Sequence, residues 1–593
     1  MHRFLRKRLA KSVNISTRPH SLKPETLPEL TSSYYHNNGE DGQRLINSSI
    51  DELFRQTAEK YHDKPAIIAY SEDNYTATFS EFENQVGRLA DSLLQLGLKP
   101  GDKLAIWSPN IKEYPIVQFA AARIGLVLVT LNPLYTTAEA EFALNFAECS
   151  AVICPRGILK LQNYLKHLEN MGSKGPKIQI IINDSKILNP NNEESLPAIP
   201  GTIDYTDLIN GGDPNSSRVQ AIQVNSDDLS MIQFTSGTTG KPKGATLSQH
   251  NLVNNAFGIV SRIDFQVGEK VCINVPLFHC FGNVGGSLMS GITGRVQMYP
   301  FFGWNAGQSI KAINDTECEV MFGTPTMYVD MFDVVDKTPA LKKCLKPLKV
   351  GVVAASLMPP ELVKKANNDF NIHTLVAYGT TENSPLVTSC YMNDNFNHKT
   401  DSVGRAVDHC ELKVVDHEGK TVPIGQAGEL CTRGYMVFQG YLKDEEKTRE
   451  AIDDSRWYHT GDLVEMDSEG YIKIVGRIKD MIIRGGENVY PSELENIILQ
   501  HEDVLDVQVV GAPDYRLGEV VAAYIRVSDS AKEKSEEEVI EGLKKFCADE
   551  MAKFKIPKHW KILDVYPATL SGKVKKFELR DRCKDDFDLN LSA

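Results

Sequence analysis

A loop rich in glycine and hydroxyl residues, at residues 235–244, carries the clearest chemical signal. It reads Thr-Ser-Gly-Thr-Thr-Gly-Lys-Pro-Lys-Gly and follows an apolar, strand-like run at residues 229–234. Glycines let backbone N–H groups approach an anion closely, and the hydroxyls and lysines add donors and positive charge. Pro242 stands where a Walker A loop requires Ser or Thr, so that motif is excluded. The candidate phosphate-binding residues are Thr235, Ser236, Gly237, Thr238, Thr239, Gly240, Lys241, Pro242 and Lys243.

A second group of functional side chains follows the strand-like run at residues 375–377. Tyr378 offers an aromatic face on which a base can stack, and Thr381 offers a hydroxyl for a phosphate. Glu382 supplies a carboxylate of the kind that binds a hard cation such as Mg²⁺. The segment therefore predicts contacts to a nucleotide and to its metal ion.

Three charged residues complete the series. Asp462 ends the run Tyr-His-Thr-Gly-Asp, where a tight turn would present its carboxylate to two ribose hydroxyls. Arg477 supplies a guanidinium for ribose or phosphate, and Lys573 lies on a glycine-containing turn near the C-terminus. Taken singly, Asp462 can be an ordinary turn residue, and Arg477 can belong to a surface ion pair. Lys573 can be part of a solvated basic run. Their order after the phosphate loop favours one nucleotide site.

Strand-like and helix-like segments alternate along the chain to about residue 475. Ser80 with Glu83 predicts a capping box, and apolar residues then recur at helical spacing to residue 94. A short buried strand is expected at residues 104–107. This alternation predicts an α/β fold in which helices cover parallel sheets.

Three segments are expected along the chain. Residues 1–40 form a transit segment and a polar lead-in, because seven cationic residues precede the first acidic one, Glu25, with hydroxyl and apolar residues between them. This pattern predicts import into the mitochondrial matrix, the alternative being a disordered basic tail. Residues 41–478 form a large N-terminal domain of fused sheet-and-helix subdomains. Residues 479–593 form a small, mobile α+β domain that carries Lys573.

Composition excludes several classes of protein. The chain has 593 residues and a formal net charge of −13, which argues against a general nucleic-acid binder. Its apolar runs are far shorter than the roughly 20 residues that span a bilayer, so no transmembrane segment is expected. The 11 cysteines are scattered, with no Cys-x-x-Cys pair and no Cys/His set at zinc spacing. Reduced, mostly buried thiols are expected.

The ordered motifs resemble those of the AMP-forming superfamily that contains acyl-CoA synthetases, luciferases and the adenylation units of peptide synthetases. The resemblance covers about residues 50–580. Residues 376–385 (VAYGTTENSP) and 479–488 (KDMIIRGGEN) are similar to mitochondrial medium-chain acyl-CoA synthetases in particular.

This resemblance implies that ATP, CoA and Mg²⁺ bind together with a fatty acid. Residues 235–244 would contact the β- and γ-phosphates of ATP, Tyr378 would pack on adenine, and Thr381 would reach the α-phosphate. Glu382 would hold Mg²⁺, and Asp462 would bind the ribose hydroxyls.

The resemblance implies further roles near the domain junction and in the acyl pocket. Arg477 would support ribose or phosphate, and Lys573 would bridge the substrate carboxylate and the α-phosphate. Lys479 would be the hinge, and Gly486 would let the pantetheine of CoA pass the backbone. The implied acyl-pocket residues are His279, as a gate, Phe281 and Ala377.

The predicted activity is ATP-dependent ligation of a medium-chain fatty acid to CoA through acyl-AMP. An aryl-CoA ligase or a luciferase-like oxygenase is the enzymatic alternative. A peptide-synthetase unit is disfavoured because no carrier domain follows Lys573. An inactive nucleotide-binding scaffold would be expected to lack Lys573, Asp462 or Glu382, and all three are present.

Overall fold

The computed structural model describes most of the chain. The described residues are 30, 32–37, 39, 44–158, 162–184, 187, 199–235, 242–263, 268–355, 358–485, 487–568, 574–587 and 589. Residues 1–29 of the predicted leader lie outside them. So do eight predicted site residues: Ser236, Gly237, Thr238, Thr239, Gly240, Lys241, Gly486 and Lys573. None of the helices within these ranges is long and apolar enough to cross a membrane.

Three sheets build the large N-terminal domain, and the strands of each are named in spatial order. The first has eight strands: Ile203–Asp204, Ile178–Ile182, Cys149–Pro155, Lys103–Trp107, Val127–Leu131, Leu229–Thr235, Lys243–Ser248 and Gly440–Tyr441. The second has nine: Arg405–Ala406, Leu386–Ser389, His373–Gly379, Val350–Val353, Val320–Gly323, Lys270–Ile273, Val296–Tyr299, Pro65–Ala69 and Tyr75–Thr78. The third has five: Tyr34–Asn37, Cys410–Val415, Gly428–Gly434, Tyr458–Met466 and Ile472–Arg477. A separate ribbon pairs Gly157–Ile158 with Gln162–Asn163.

The first and second sheets are mainly parallel and are covered by helices. Val350–Val353, for example, pairs in parallel with Val320–Gly323 on one side and with His373–Gly379 on the other, and all four of its residues are buried. Strands that are buried on both faces form continuous apolar runs. The predicted α/β fold is therefore confirmed.

The helices of the large domain mostly place one apolar face on these sheets. Their bounds are Ile50–Lys60, Phe79–Gln95, Glu113–Arg123, Thr137–Phe146, Tyr164–Met171, Tyr205–Gly211, Ser217–Gln220, Gln249–Ile263, Met289–Thr293, Ala306–Thr316, Pro325–Lys337, Pro360–Phe370, Phe396–Asp401 and Glu445–Ala451. Three short 3₁₀ segments, Gly172–Lys174, Pro339–Leu345 and Thr381–Asn383, and one π-helix, Phe281–Leu288, complete the described set.

The predicted capping box at Ser80 and Glu83 is wrong. The helix begins two residues earlier, where Thr78 and Glu81 cap it reciprocally. Phe79 is fully buried, so the first turn of the helix packs against the core through this ring. The same hydroxyl-to-glutamate spacing occurs at both places, and burial selects between them.

The third sheet is antiparallel and begins before the predicted domain boundary at residue 41. Tyr34–Asn37 pairs with Cys410–Val415, and the Tyr34 hydroxyl donates to Glu411 at 2.7 Å. Part of the expected polar lead-in is therefore an edge strand of the large domain. Cross-strand pairing, which a local reading of polarity does not detect, is the reason for the difference.

The small C-terminal domain has its own sheet and its own apolar cores. Its strands are Glu487–Val489, Ile482–Arg484, Gly518–Val527 and Val504–Asp514, with His559–Ile562 pairing in parallel with Gly518–Val527. Its helices are Pro491–Ile498, Glu536–Glu550 and Lys576–Asp586, with a 3₁₀ turn at Asp529–Ala531. Two clusters of buried side chains, between residues 482 and 583, are separate from the main core. The boundary at residues 478/479 remains a prediction.

Candidate active site

The predicted phosphate loop connects two neighbouring antiparallel strands of the first sheet. Leu229–Thr235 leads into it and Lys243–Ser248 leaves it, with Thr235 opposite Lys243 in the register. The ammonium group of Lys243 lies 4.5 Å from the ring centroid of Tyr441. The described ends of the loop are therefore held by a hairpin, and Lys243 is directed toward the edge strand Gly440–Tyr441.

Tyr378 and Arg477, which come from two different sheets, both contact the carboxylate of Asp462, the first through a hydrogen bond and the second through an ion pair. The Tyr378 hydroxyl donates to Asp462 Oδ2 at 2.6 Å, and Arg477 Nε lies 2.8 Å from Asp462 Oδ1. The side chain of Asp462 is 4% exposed, whereas that of Arg477 is 49% exposed. The Asp462 carboxylate raises the pKa of Arg477, and burial, followed by the same carboxylate, raises that of Tyr378. A carboxylate accepts about four hydrogen bonds, so Asp462 retains capacity for a ligand.

The position of Asp462 depends on strand register and on an irregularity in its strand. Asp462 is paired with Arg477 across the third sheet, and the register with Gly428–Gly434 shifts between Glu429 and Cys431. Gly461 has a φ of +71°, and its N–H donates to Glu429 Oε1 at 3.0 Å. Bulges of this kind redirect side chains near functional sites. The tight turn predicted before Asp462 is thus an irregular point within a strand.

Thr381 and Glu382 lie on the turn Thr381–Asn383, immediately after the strand His373–Gly379. A Cβ atom at Gly379 would collide with the carbonyl oxygen of Pro385, so only glycine allows this close approach. Buried residues that no sequence motif indicated hold this turn in place. Asn383 donates to Thr380 Oγ1 at 3.0 Å, and Thr432 donates to Asn383 Oδ1 at 2.9 Å.

Glu382 is 9% exposed and is anchored by two neighbours from another segment. Its Oε1 accepts a hydrogen bond from the Tyr441 hydroxyl at 2.8 Å, and its carbonyl oxygen accepts one from the N–H of Phe438 at 2.9 Å. No donor in the described part of the chain is bonded to Oε2. One carboxylate oxygen is thus fixed, while the other is available to a hard cation. Tyr441 was not predicted, since a tyrosine after glycine carries no distinctive signal.

The predicted acyl-pocket segment contacts Thr381 through an unpredicted cysteine. Cys280 Sγ lies 3.7 Å from His279 Nδ1 and 3.7 Å from Thr381 Oγ1. Burial raises the pKa of Cys280 to about 12, so its thiol stays protonated at neutral pH. Phe281 donates its N–H to His279 Nδ1 at 3.3 Å and stacks on Phe322. Ala377 directly precedes Tyr378 on its strand.

Positive charge converges at the predicted hinge. Lys479 is exposed on the turn after Ile472–Arg477. Loss of hydration lowers the pKa of Lys479, and the positive charges of Lys243 and Arg477 lower it further. The structure thus brings Lys243, which is more than 230 residues away in the sequence, within electrostatic reach of Lys479 and of its close neighbour Arg477. Such an arrangement attracts a polyanion.

The chain matches two family models. The first, described as "AMP-binding enzyme", matches residues 54–442. The second, described as "AMP-binding enzyme C-terminal domain", matches residues 493–573.

Curated relatives are similar over nearly the whole chain. The "Medium-chain acyl-CoA ligase ACSF2, mitochondrial" of Danio rerio is 40% identical, with 96% of this chain and 94% of that protein aligned. The protein of the same name from Homo sapiens is 36% identical, with 92% and 89% aligned.

Solved structures share the fold. MatB from Rhodopseudomonas palustris, crystallised with ATP, superposes with a TM-score of 0.78 at 27% identity, covering 91% of this chain and 99% of that one. The anthranilate CoA ligase AuaEII, in complex with anthranoyl-AMP, gives a TM-score of 0.80 at 23% identity, covering 92% and 99%. The family match over more than half of the sequence agrees with the relatives and confirms the resemblance drawn from the motifs: this chain belongs to the AMP-binding enzyme family.

Proposed function

We propose that this enzyme activates a medium-chain fatty acid with ATP and then transfers the acyl group to CoA. In the first step the carboxylate attacks the α-phosphate of ATP, forming acyl-AMP and releasing pyrophosphate. In the second step the CoA thiol attacks the acyl carbonyl, forming the thioester and releasing AMP.

The observation that carries this proposal is that Tyr378 and Arg477 both contact the buried carboxylate of Asp462, close to the positive charges of Lys243 and Lys479. A buried carboxylate with remaining acceptor capacity suits the two hydroxyls of ribose. The tyrosine ring presents an aromatic face to a base, and Lys243, Arg477 and Lys479 attract phosphates. The site is thus suited to an adenine nucleotide.

The first step must overcome repulsion between two anions, the substrate carboxylate and the α-phosphate. Negative charge also builds on the phosphoryl oxygens during transfer, so fixed positive charge and donors stabilise the transition state. We assign this role to Lys573 and to the hydroxyl of Thr381. Glu382 would hold Mg²⁺ through the oxygen that Tyr441 leaves free. The ion, when bound, supplies charge neutralisation at the phosphate oxygens.

The second step needs the C-terminal domain to present a different surface to acyl-AMP. Its separate cores allow it to move as a unit about the turn that contains Lys479. Arg580 donates to the carbonyl oxygen of Lys479 at 3.3 Å and to Asp480 at 3.2 Å, so the last helix is tied to this turn. We propose that Lys479 is the hinge, that the domains meet at residues 478/479, and that CoA passes Gly486.

The proposed acyl substrate and location rest on the relatives and on the sequence. The two relatives carry medium-chain acyl-CoA ligase and mitochondrial in their names. His279, Phe281 and Ala377 are assigned to the acyl pocket because they lie close, in space or in sequence, to the proposed nucleotide contacts Thr381 and Tyr378. The cationic leader supports import into the mitochondrial matrix.

The proposal is tested with protein that lacks residues 1–29 and so keeps the edge strand Tyr34–Asn37. CoA-dependent AMP release is measured with straight-chain acids from acetate to palmitate and with benzoate. We expect a maximum of kcat/KM at intermediate chain length. A maximum at benzoate would support an aryl-CoA ligase, and the absence of AMP with every fatty acid would overturn the proposal.

Replacing Asp462 with asparagine should raise the KM for ATP by about 10- to 100-fold. The change removes charge-assisted hydrogen bonds to ribose, each of which contributes about 1.5–3 kcal/mol. Initial rates over a range of ATP concentrations measure the effect. Glu465→Gln is the matched control, because Glu465 lies on the same strand with a partly exposed side chain. Equal KM values in the two variants would contradict the assignment.

Replacing Tyr441 with phenylalanine should raise the Mg²⁺ concentration for half-maximal activity by about 2- to 10-fold. A hydrogen bond to a charged carboxylate contributes about 1.5–3 kcal/mol. Its loss frees the Glu382 carboxylate to rotate but leaves the negative charge in place, so only part of that energy is lost from Mg²⁺ binding. Tyr34→Phe removes a similar tyrosine–glutamate bond, on the edge strand of the third sheet, and serves as the control. A lower Tm with an unchanged Mg²⁺ requirement would mean that Tyr441 is merely structural.

A further inference from the structure

Cys431, His459 and Glu429 lie together on the side of the third sheet that faces away from the main core. Cys431 and His459 are directly opposite each other on neighbouring strands, and Glu429 precedes Cys431 by two residues on the same face. Cys431 Sγ is 3.5 Å from His459 Nδ1, which is 2.9 Å from Glu429 Oε2. All three potential ligand atoms lie within 4.8 Å of one another.

We infer that these three side chains form a zinc-binding site with one open coordination position. Tetrahedral zinc, with bonds of about 2.0–2.3 Å to sulfur, nitrogen and oxygen, places its ligand atoms about 3.3–3.6 Å apart. The sulfur-to-nitrogen separation already has this value, and the nitrogen-to-oxygen separation must open by only about 0.4 Å. A thiolate with an imidazole selects zinc over Mg²⁺ or Ca²⁺.

The surroundings of the cluster supply the outer contacts that zinc ligands usually have. Asp453 Oδ2 lies 3.8 Å from His459 Nε2, so a carboxylate faces the ring nitrogen that points away from the cluster. Glu429 Oε1 accepts the N–H of Gly461, which leaves Oε2 for the metal. His459 and Glu429 are partly exposed and open a path from solvent, whereas Cys431 is buried.

The neighbours of Cys431 are compatible with a bound cation. Val415 and Trp457 pack around the cysteine and shield its sulfur from water. Lys413 is its cross-strand neighbour, but the lysine ammonium lies over the Trp457 ring, 4.5 Å from the centroid. The ring thus stabilises that charge.

Another cluster of potential metal ligands in the described chain, formed by Glu72, Glu113 and Asp184, is not a candidate metal site. The ammonium of Lys112 already lies 2.6, 3.1 and 2.9 Å, respectively, from their carboxylates. A lysine therefore occupies the position that a metal ion would take. No ammonium contacts the ligand atoms of Glu429, Cys431 and His459 among the described ion pairs.

The test uses the full-length chain, stripped with EDTA and titrated with Zn²⁺ alone against a chromogenic chelator. We expect one zinc per chain and an affinity at least about 100-fold lower in Cys431→Ser, because that change removes a ligand atom itself. Asp453→Asn, which alters only a contact to the histidine ligand, should lower the affinity by about 10-fold. Cys154→Ser, at a buried cysteine in the first sheet, is the control and should bind as the unchanged chain does.

Cobalt identifies the ligands independently of affinity. Co²⁺ added to the stripped protein should give a thiolate-to-cobalt charge-transfer band that is lost in Cys431→Ser. If that variant does not fold, Glu429→Gln replaces it, with weaker zinc binding expected and a Tm that no longer rises with zinc. Equal zinc affinity in the variant and the unchanged chain, or a cobalt complex without the thiolate band, overturns the proposal.

Discussion

Replacing Lys573 with alanine is expected to lower carboxylate-dependent pyrophosphate release by at least about 10²- to 10³-fold, while supplied acyl-AMP is still converted to acyl-CoA. Loss of one group that stabilises transition-state charge typically has an effect of this size. The second step starts from acyl-AMP, in which the carboxylate and the α-phosphate are already joined, so the ammonium has no pair of anions left to bridge. Pyrophosphate release and thioester formation are measured separately on the same preparation.

The neighbours of Lys573 provide matched controls for this experiment. Lys575 is paired with Glu578 at 2.7 Å, and Lys576 is paired with Glu495 at 2.6 Å. Their charges are thus neutralised locally, so Lys575→Ala and Lys576→Ala should leave adenylation near its normal rate. An equal loss of both half-reactions in Lys573→Ala, or an equal loss in all three variants, would refute the assigned role.

Replacing Glu382 with glutamine should reduce kcat for adenylation by about 10²- to 10³-fold at saturating ATP. Glutamine keeps the shape of the side chain and can still accept the Tyr441 hydrogen bond, but it removes the negative charge that would hold Mg²⁺. The rate of pyrophosphate release is measured over a wide range of Mg²⁺ concentrations. A partial recovery at high Mg²⁺ is expected, because the remaining ligands bind the ion weakly.

The control for Glu382 is another glutamate that accepts a tyrosine hydrogen bond. Glu411 is bonded to Tyr34 and paired with Arg433, neither of which is a proposed site residue, so Glu411→Gln should leave adenylation unchanged. Thermal unfolding monitors whether the buried substitution destabilises the fold. Normal adenylation by a folded Glu382→Gln protein, with an unchanged Mg²⁺ requirement, would contradict the metal-holding role.

The chemistry of this site is predictable because it depends on residue types in a definite order. Tyr378, Glu382, Asp462 and Arg477 stand in short motifs whose local geometry requires glycine or a strand end, and these local needs leave a signal in the sequence. Tyr441 and Cys280 leave none. Each contacts a predicted residue only because another strand or turn brings it there, so their roles become visible in the tertiary contacts.

The fold class was predictable for a similar reason, whereas the limits of some elements were not. Parallel strands buried on both faces require continuous apolar runs, so the α/β alternation is present in the sequence itself. The helix starts at Phe79 because the core buries this residue. Residues Tyr34–Asn37 form an edge strand because they pair with another strand, Cys410–Val415. The limits of these elements are set by long-range contacts, which a local sequence pattern does not contain.

The sequence by itself was therefore sufficient in three respects: its ordered motifs resemble those of the family, its apolar alternation indicates the α/β class, and its residue types indicate which residues are suited to bind a nucleotide. Only the pairing and packing of the strands determine which of those residues contact one another. Antiparallel register sets Asp462 opposite Arg477, and it also brings together Cys431 and His459, whose spacing had excluded a zinc motif. Residues 28 positions apart in the chain become neighbours when backbone hydrogen bonds align their strands, and spacing alone does not encode that alignment.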